Sequence, residues 1–252
     1  MAGHSQFKNI MHRKGAQDAK RAKLFAKLAR EITVAVKSGL PDPKQNPRLR
    51  NAIINARHEN MPNDKINKAI QKGSSGDENN TYQEIRYEGY GVNGIAFIIE
   101  TLTDNKNRTA SEIRSILSKN GGNLGEDGSV AFNFKRVGEI SFELSQINKD
   151  EIFDYAIEYE ALDIVENQTA VNIYSEPHKF GELRNLLEEK FGEPKKAKLV
   201  WQTENEISVD EKIGSKILDM IEALEENDDV QTVYTNISLS DNIIKKINDA
   251  IK

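Results

Sequence analysis

The chain has 252 residues, of which 37% are hydrophobic and 30% charged, a folded rather than disordered composition with room for two or three domains. No stretch approaches eighteen consecutive apolar residues, and residues 1–8 lack the apolar core of a secretory signal, so neither a membrane span nor export is expected. Cysteine is absent, which excludes disulfides, thiolate metal sites, iron–sulfur clusters and a cysteine nucleophile.

The net charge of −5 conceals a strong asymmetry. Residues 1–73 hold sixteen Lys/Arg and five Asp/Glu, whereas the remainder holds nineteen and thirty-five. A basic module carried by an acidic body points to a polyanionic partner, the acidic part limiting indiscriminate adhesion to nucleic acid.

The basic segment reads as helical. Over residues 17–38, Leu24, Phe25, Leu28, Ile32, Ala35 and Val36 recur at helical spacing, and Gly39 closes the stretch. Lys20, Lys23, Lys27, Arg30 and Lys37 share a second arc, while Arg21 falls inside the apolar one and must snorkel or mark a packing gap. Asn46-Pro47 reads as an N-cap and first helical residue, opening a helix with Leu49, Ala52, Ile53 and Ala56 inward. Asn63 is the expected cap of a third helix, with Ile66, Ala69 and Ile70 inward and Lys65, Lys68 and Lys72 outward. The Asn60-Met61-Pro62 turn joins these two helices without the usual helix-turn-helix pattern. Residues 73–80 form a Gly/Ser/Asp/Asn linker at the charge reversal.

Beyond the linker the period becomes two. Residues 84–87 and 95–102 are expected strands joined by a glycine-rich turn, 108–119 a helix, and 129–134 a further strand. Residues 137–202 then run strand, helix, two strands, helix, strand, the order of the ferredoxin-like plait. A helix with Ile213, Ile217, Leu218 and Ile221, followed by a strand at 230–234, is expected to return to the sheet begun at Glu84. The plait thus becomes an insertion. The expected class is α+β: an N-terminal three-helix basic domain (1–76), a discontinuous α/β middle domain (81–136 with 204–240), an inserted ferredoxin-like β-α-β-β-α-β domain (137–203) and a C-terminal helical tail (241–252).

Catalytic chemistry finds little support. Gly89-Tyr90-Gly91-Val92-Asn93-Gly94 matches the dinucleotide string, but a strand follows where a phosphate-binding helix is required, so a tight hairpin is expected. Residues 121–128 lack Walker spacing. The histidines His4, His12, His58 and His178 form no metal or hydrolase motif, and the pairs Glu188-Glu189 and Glu225-Glu226 read as solvated surface. No enzyme activity, metal, cofactor or obligatory small-molecule ligand is expected. In residues 103–108, Asp104, Asn105 or Asn107 reads as a helix cap, leaving Arg108 to reach a phosphate or an acidic group. In residues 8–23, Lys8, His12, Arg13, Lys14, Lys20, Arg21 and Lys23 face only Asp18. Such a cluster can neutralise phosphates and release counterions, although no zinc-finger, basic-zipper or RNP1 pattern accompanies it.

Residues 1–5, Asn9-Ile10-Met11-His12-Arg13-Lys14, Asp18-x-Lys20-Arg21-x-Lys23-Leu24-Phe25, Asn60-Met61-Pro62, Tyr87-Glu88-Gly89-Tyr90-Gly91, Thr103-Asp104-Asn105-x-Asn107-Arg108 and Gly121-Gly122-Asn123-Leu124-Gly125 together resemble the YebC/PmpR family. Gln6-Phe7 stands where the family usually has lysine-tryptophan, and Val92 where proline is common. The resemblance implies a cytoplasmic, cofactor-free, three-domain protein that binds DNA as a transcriptional regulator. It also implies an alternative as a ribosome-associated translation factor binding rRNA, because a mitochondrial translational activator is a relative. By residue match the nucleic-acid candidates are His4, Ser5, Arg13, Lys14, Lys20, Arg21, Lys23 and Lys27. Arg30, on the same cationic arc, and Arg108 join them.

Overall fold

A computed structural model describes residues 17–75, 82–240 and 243. The arm before residue 17, most of the expected linker and all but residue 243 of the expected tail lie outside the described residues. In chain order the helices are α1 (Gln17–Lys37), α2 (Pro47–His58), α3 (Asn63–Ser74), α4 (Lys106–Lys119), α5 (Lys149–Glu158), α6 (Phe180–Phe191) and α7 (Glu211–Glu225). The strands are β1 (Gln83–Tyr90), β2 (Ala96–Thr103), β3 (Asn123–Leu124), β4 (Phe134–Glu143), β5 (Asp163–Glu166), β6 (Ala170–Ser175), β7 (Lys196–Thr203), β8 (Ile207–Ser208), β9 (Val230–Thr235) and β10 (Ile237–Ser238). The class is α+β. The chain divides into two compact units, and the division falls inside α1, β4 and β7.

One unit comprises residues 28–78 and 136–200. In its helical part the apolar stripes become a core of Ile32, Val36, Leu49, Ile53, Met61 and Ile66. The expected cap at Asn46 is present: its Oδ1 accepts from the Leu49 backbone N–H at 3.0 Å, while its Nδ2 donates to the Ala35 and Leu40 carbonyls. The expected cap at Asn63 is not. Asn63 is already helical and Pro62 occupies the cap position, its carbonyl accepting from Lys65 and Ile66, because the proline ring presets the backbone and leaves no orphan donor of its own. Gly73 is required by packing, since a Cβ there would lie 2.7 Å from Val36 Cβ and 2.8 Å from the Thr33 carbonyl. Thr33 Oγ1 ties the same two helices together by donating to Ala69 O at 3.2 Å.

The plait in this unit has the strand order β5-β6-β4-β7, with β6 antiparallel to both β4 and β5. That is the order expected when two split β-α-β halves interleave. Ile140, Phe142, Val171 and Ile173 line one sheet face and pack against Ile152 and Ala156 of α5 and Leu183 and Leu187 of α6. Each fully buried branched side chain contributes about 1.5–3 kcal/mol relative to exposure.

The other unit comprises residues 1–27, 79–135 and 201–252. Its sheet runs β3-β1-β2-β9, and β9 pairs antiparallel with β2 from Phe97↔Thr235 onward, so the late segment does return to the sheet begun near Glu84. β2 is central and its residues are buried on both faces, apart from a half-buried Glu100. Ile113 and Leu117 of α4 and Ile217, Ile221 and Leu224 of α7 join Phe97, Ile99 and Val233 in the core. The glycine-rich turn between β1 and β2 is a tight hairpin, as expected. Asn93 and Gly94 have φ of 58° and 72°, and Gly91 N–H donates to Ile95 O.

The expected strand at 129–134 is overturned. Residues 131–133 form a 3₁₀ turn, and β4 begins only at Phe134. The cause is distant in sequence: the buried Glu88 carboxylate accepts the backbone N–H groups of Val130 and Ala131, at 2.8 and 2.9 Å, which a strand would have turned to a neighbour.

Candidate nucleic-acid interface

His4, Ser5, Arg13 and Lys14 lie outside the described residues. Lys20, Lys23 and Lys27 project from successive turns of α1, and the fold gives all three the same destination. Lys20 Nζ donates to Glu222 Oε1 at 3.0 Å, Lys23 Nζ to the Glu226 carbonyl at 3.1 Å, and Lys27 Nζ to the Glu225 carbonyl at 2.6 Å. All three acceptors belong to the C-terminal end of α7. The last carbonyls of a helix have no intrahelical donors and carry the negative end of its macrodipole. α7 has no basic residue in its last turn, so α1 supplies the cations from outside. At Glu225 and Glu226 it is the backbone carbonyl that accepts; Glu226 is exposed and Glu225 half-buried. Glu188, in the other acidic pair, receives Arg184 at 2.5 Å.

Arg21 is exposed, with Cζ 5.9 Å from the centre of the Phe25 ring, so it snorkels across that ring as its place in the apolar arc required. Arg30 is half-buried in the other unit.

Arg108 sits apart from the α1 candidates by sequence and by partner. Asn105 caps α4 by accepting from the Arg108 backbone N–H at 3.1 Å. The Arg108 guanidinium donates to Asp104 Oδ1 at 3.0 Å and to Asp229 Oδ2 at 2.7 Å. The same Asp229 oxygen accepts from Thr109 Oγ1 at 2.7 Å and from Thr103 Oγ1 at 3.1 Å. Burial alone would raise the Asp229 carboxyl, but the donors from Arg108, Thr109 and Thr103 hold it below its ordinary value. The hydrogen bond that Arg108 donates to Asp229, with the charge of that carboxylate, in turn raises the Arg108 pKa above its ordinary value. The motif at residues 103–109 therefore clamps the end of β2, the start of α4 and the approach to β9.

A second network was not singled out from sequence. Arg86 lies 3.1 Å from Glu88 Oε1, donates to Asp127 Oδ1 at 2.8 Å, and stacks 5.2 Å from the Trp201 ring centre. Trp201 Nε1 donates to Glu100 Oε1 at 3.0 Å. With the two N–H groups held by Glu88, this network fixes the glycine-dense loop and displays Phe132, 70% exposed. The only sequence signal was Glu88 within Tyr87-Glu88-Gly89-Tyr90-Gly91. Among the described residues no group of three or more His, Asp or Glu is placed to hold a metal ion, and no helix is long and apolar enough to cross a membrane.

A basic helical N-terminal part followed by an α/β sheet domain interrupted by a plait defines the class, and the chain belongs to the TACO1/YebC family. Residues 5–76 match the N-terminal domain of TACO1/YebC proteins, and residues 82–237 match their second and third domains. Among solved structures, the chain is similar to the conserved hypothetical protein Aq1575 from Aquifex aeolicus. The two share 40% identity at a TM-score of 0.80, covering 89% of this chain and 93% of that one.

Proposed function

We propose that this protein is a DNA-binding transcriptional regulator that grips the phosphate backbone with its basic N-terminal domain. The observation that carries the reading is the confinement of positive charge: sixteen Lys/Arg against five Asp/Glu in residues 1–73, ahead of a strongly acidic remainder. Family membership is consistent with this class of function.

Filter binding of duplex DNA across a salt series tests the proposal. Affinity is expected to fall steeply with salt, by ~0.9 in log–log slope per phosphate contact. Arg13→Glu with Lys14→Glu is expected to weaken binding while leaving the circular dichroism spectrum unchanged. Salt-independent binding, or full affinity in the double variant, refutes the proposal. A second reading, a translation factor on structured RNA, is favoured by one observation: the basic segment carries no zinc-finger, basic-zipper or RNP1 pattern, and structured RNA is recognised largely through its shape and backbone. Cosedimentation with ribosomes at low salt, lost at high salt, separates the two.

A further inference from the structure

Three of the sequence-selected lysines hold the end of α7, so the cationic surface of the basic domain has to be sought elsewhere on it. α2 is equally committed. Arg48 pairs with Glu31 at 3.0 Å, Arg50 donates to Asn185 Oδ1, Arg57 pairs with Glu193, and His58 Nε2 lies 3.2 Å from the Pro194 carbonyl. α3 differs. It buries Ile66, Ala69 and Gly73 and leaves Lys65, Asn67, Lys68, Gln71 and Lys72 exposed. At ~100° per residue, the three lysines fall within an arc of ~60°, and Asn67 and Gln71 lie together on the opposite flank of the exposed face. Asp64 is the only acid on the helix.

The connection into α3 is also specific. Four residues separate α2 from α3. Asn60 adopts a φ of 57°, Met61 N–H donates to Ala56 O at 2.9 Å, and the Met61 side chain is 4% exposed. A left-handed residue followed by a buried apolar plug locks the two helices in one arrangement. The sequence reading found no helix-turn-helix here, but the structure supplies its parts: two twelve-residue helices, a four-residue turn, and a second helix whose outer face is polar and basic.

We infer that α2–turn–α3 is the unit that reads duplex DNA, with α3 entering the major groove, Asn67 and Gln71 meeting base edges, and Lys65, Lys68 and Lys72 meeting the flanking phosphates. This rests on the proposed function and gives it a site. The side-chain chemistry selects the ligand. Asn and Gln amides pair in bidentate fashion with the N6 and N7 edge of adenine, and lysines neutralise phosphates. B-form DNA admits a helix into its major groove, whereas the deep, narrow groove of A-form RNA does not. Asp64, near the start of α3, is suited to accept from cytosine N4 and repels phosphate, which orients the helix with its lysine flank toward the backbone.

The test uses the full chain and a pool of random-sequence duplex DNA, with selection of bound sequences and a salt series. Lys68→Ala with Lys72→Ala is expected to lower the salt slope by ~1.8, at ~0.9 for each lysine. Asn67→Ala with Gln71→Ala is expected to keep the slope and to flatten the preference for adenine, each lost contact relaxing discrimination by roughly five- to 150-fold. All four positions are exposed, so the unfolding midpoint should not move. If Arg13→Glu with Lys14→Glu weakens binding while both α3 double variants behave as the parent, DNA binding stands and α3 is not its reader. Equal affinity for duplex RNA, with no effect of Gln71→Ala, likewise overturns the inference. If no duplex is bound at all, the proposed function fails with it.

Discussion

Whether Arg108 serves a ligand or the fold can be decided by removing the partners of Asp229. The Asp229 side chain is 6% exposed, and its Oδ2 atom accepts from Arg108, Thr109 and Thr103 within 3.1 Å. Hydrogen bonds to a charged acceptor are worth about 1.5–3 kcal/mol each, and desolvation of the carboxylate offsets several kcal/mol of that sum. Asp229→Asn keeps the shape but loses the charge and turns one oxygen into a donor, so it should destabilise the fold by about 2–4 kcal/mol. Arg108 is 45% exposed and screened by solvent, and two hydroxyls remain on Asp229 without it, so Arg108→Ala should lose only about 1–2 kcal/mol. At ~2–4 °C per kcal/mol for a chain of this size, the Asp229 variant should melt roughly 5–15 °C lower. Denaturant titrations of both single variants and the double variant should give a coupling energy of about 1 kcal/mol or more. The pH dependence has a definite sign. The folded carboxyl titrates below the ordinary value of ~3.9, so its contribution is complete above that pH and is lost as pH falls through the folded pKa. The deficit of Asp229→Asn should therefore be largest near neutrality and vanish in strong acid. If Arg108→Ala melts like the parent and instead lowers the DNA-binding salt slope by ~0.9, the clamp is wrong and Arg108 belongs to the ligand surface.

Gly73→Ala should destabilise the protein by about 1–3 kcal/mol, measured by urea titration, because the added methyl meets Val36 Cβ and the Thr33 carbonyl below 3 Å; parent-like stability would show that α1 and α3 can move apart freely. Glu88→Ala should lose both backbone contacts at Val130 and Ala131, which the same Glu88 oxygen accepts, costing about 2–4 kcal/mol, and limited proteolysis should then cut within residues 121–133 first; an unchanged cleavage pattern would contradict that role. Lys23→Ala with Lys27→Ala should accelerate amide exchange in the last turn of α7 while exchange in α5 stays unchanged; no change at α7 would mean that the lysines do not hold its end in solution.

Much of this architecture was legible in the sequence because it is written in short-range terms. Helical periodicity in residues 17–74, the caps at Asn46 and Asn105, and the hairpin at Asn93-Gly94 each depend on neighbours within a few positions. The plait could be read because six elements followed one another in an uninterrupted order, and the return of β9 to the first sheet because the last segment was too short to bury its own apolar face. Asn63 misled because it resembles a cap by type, whereas the proline beside it starts the helix by its fixed backbone.

What the sequence alone determined was most of the helical, extended and turning segments, residues 129–134 excepted, and that positive charge is gathered into the leading domain. What tertiary structure decided was where those charges go. Lys20, Lys23 and Lys27 could be placed on one face of α1 from their spacing, but their acceptors lie about two hundred residues away at the end of α7. Arg108 is separated from Asp229 by 121 residues, and Glu88 from the backbone it holds by 42 and 43. Periodicity records which way a side chain points relative to its own element. Only the packing of elements determines which donor meets which acceptor, because a hydrogen bond is made over about 3 Å of space regardless of the chain between.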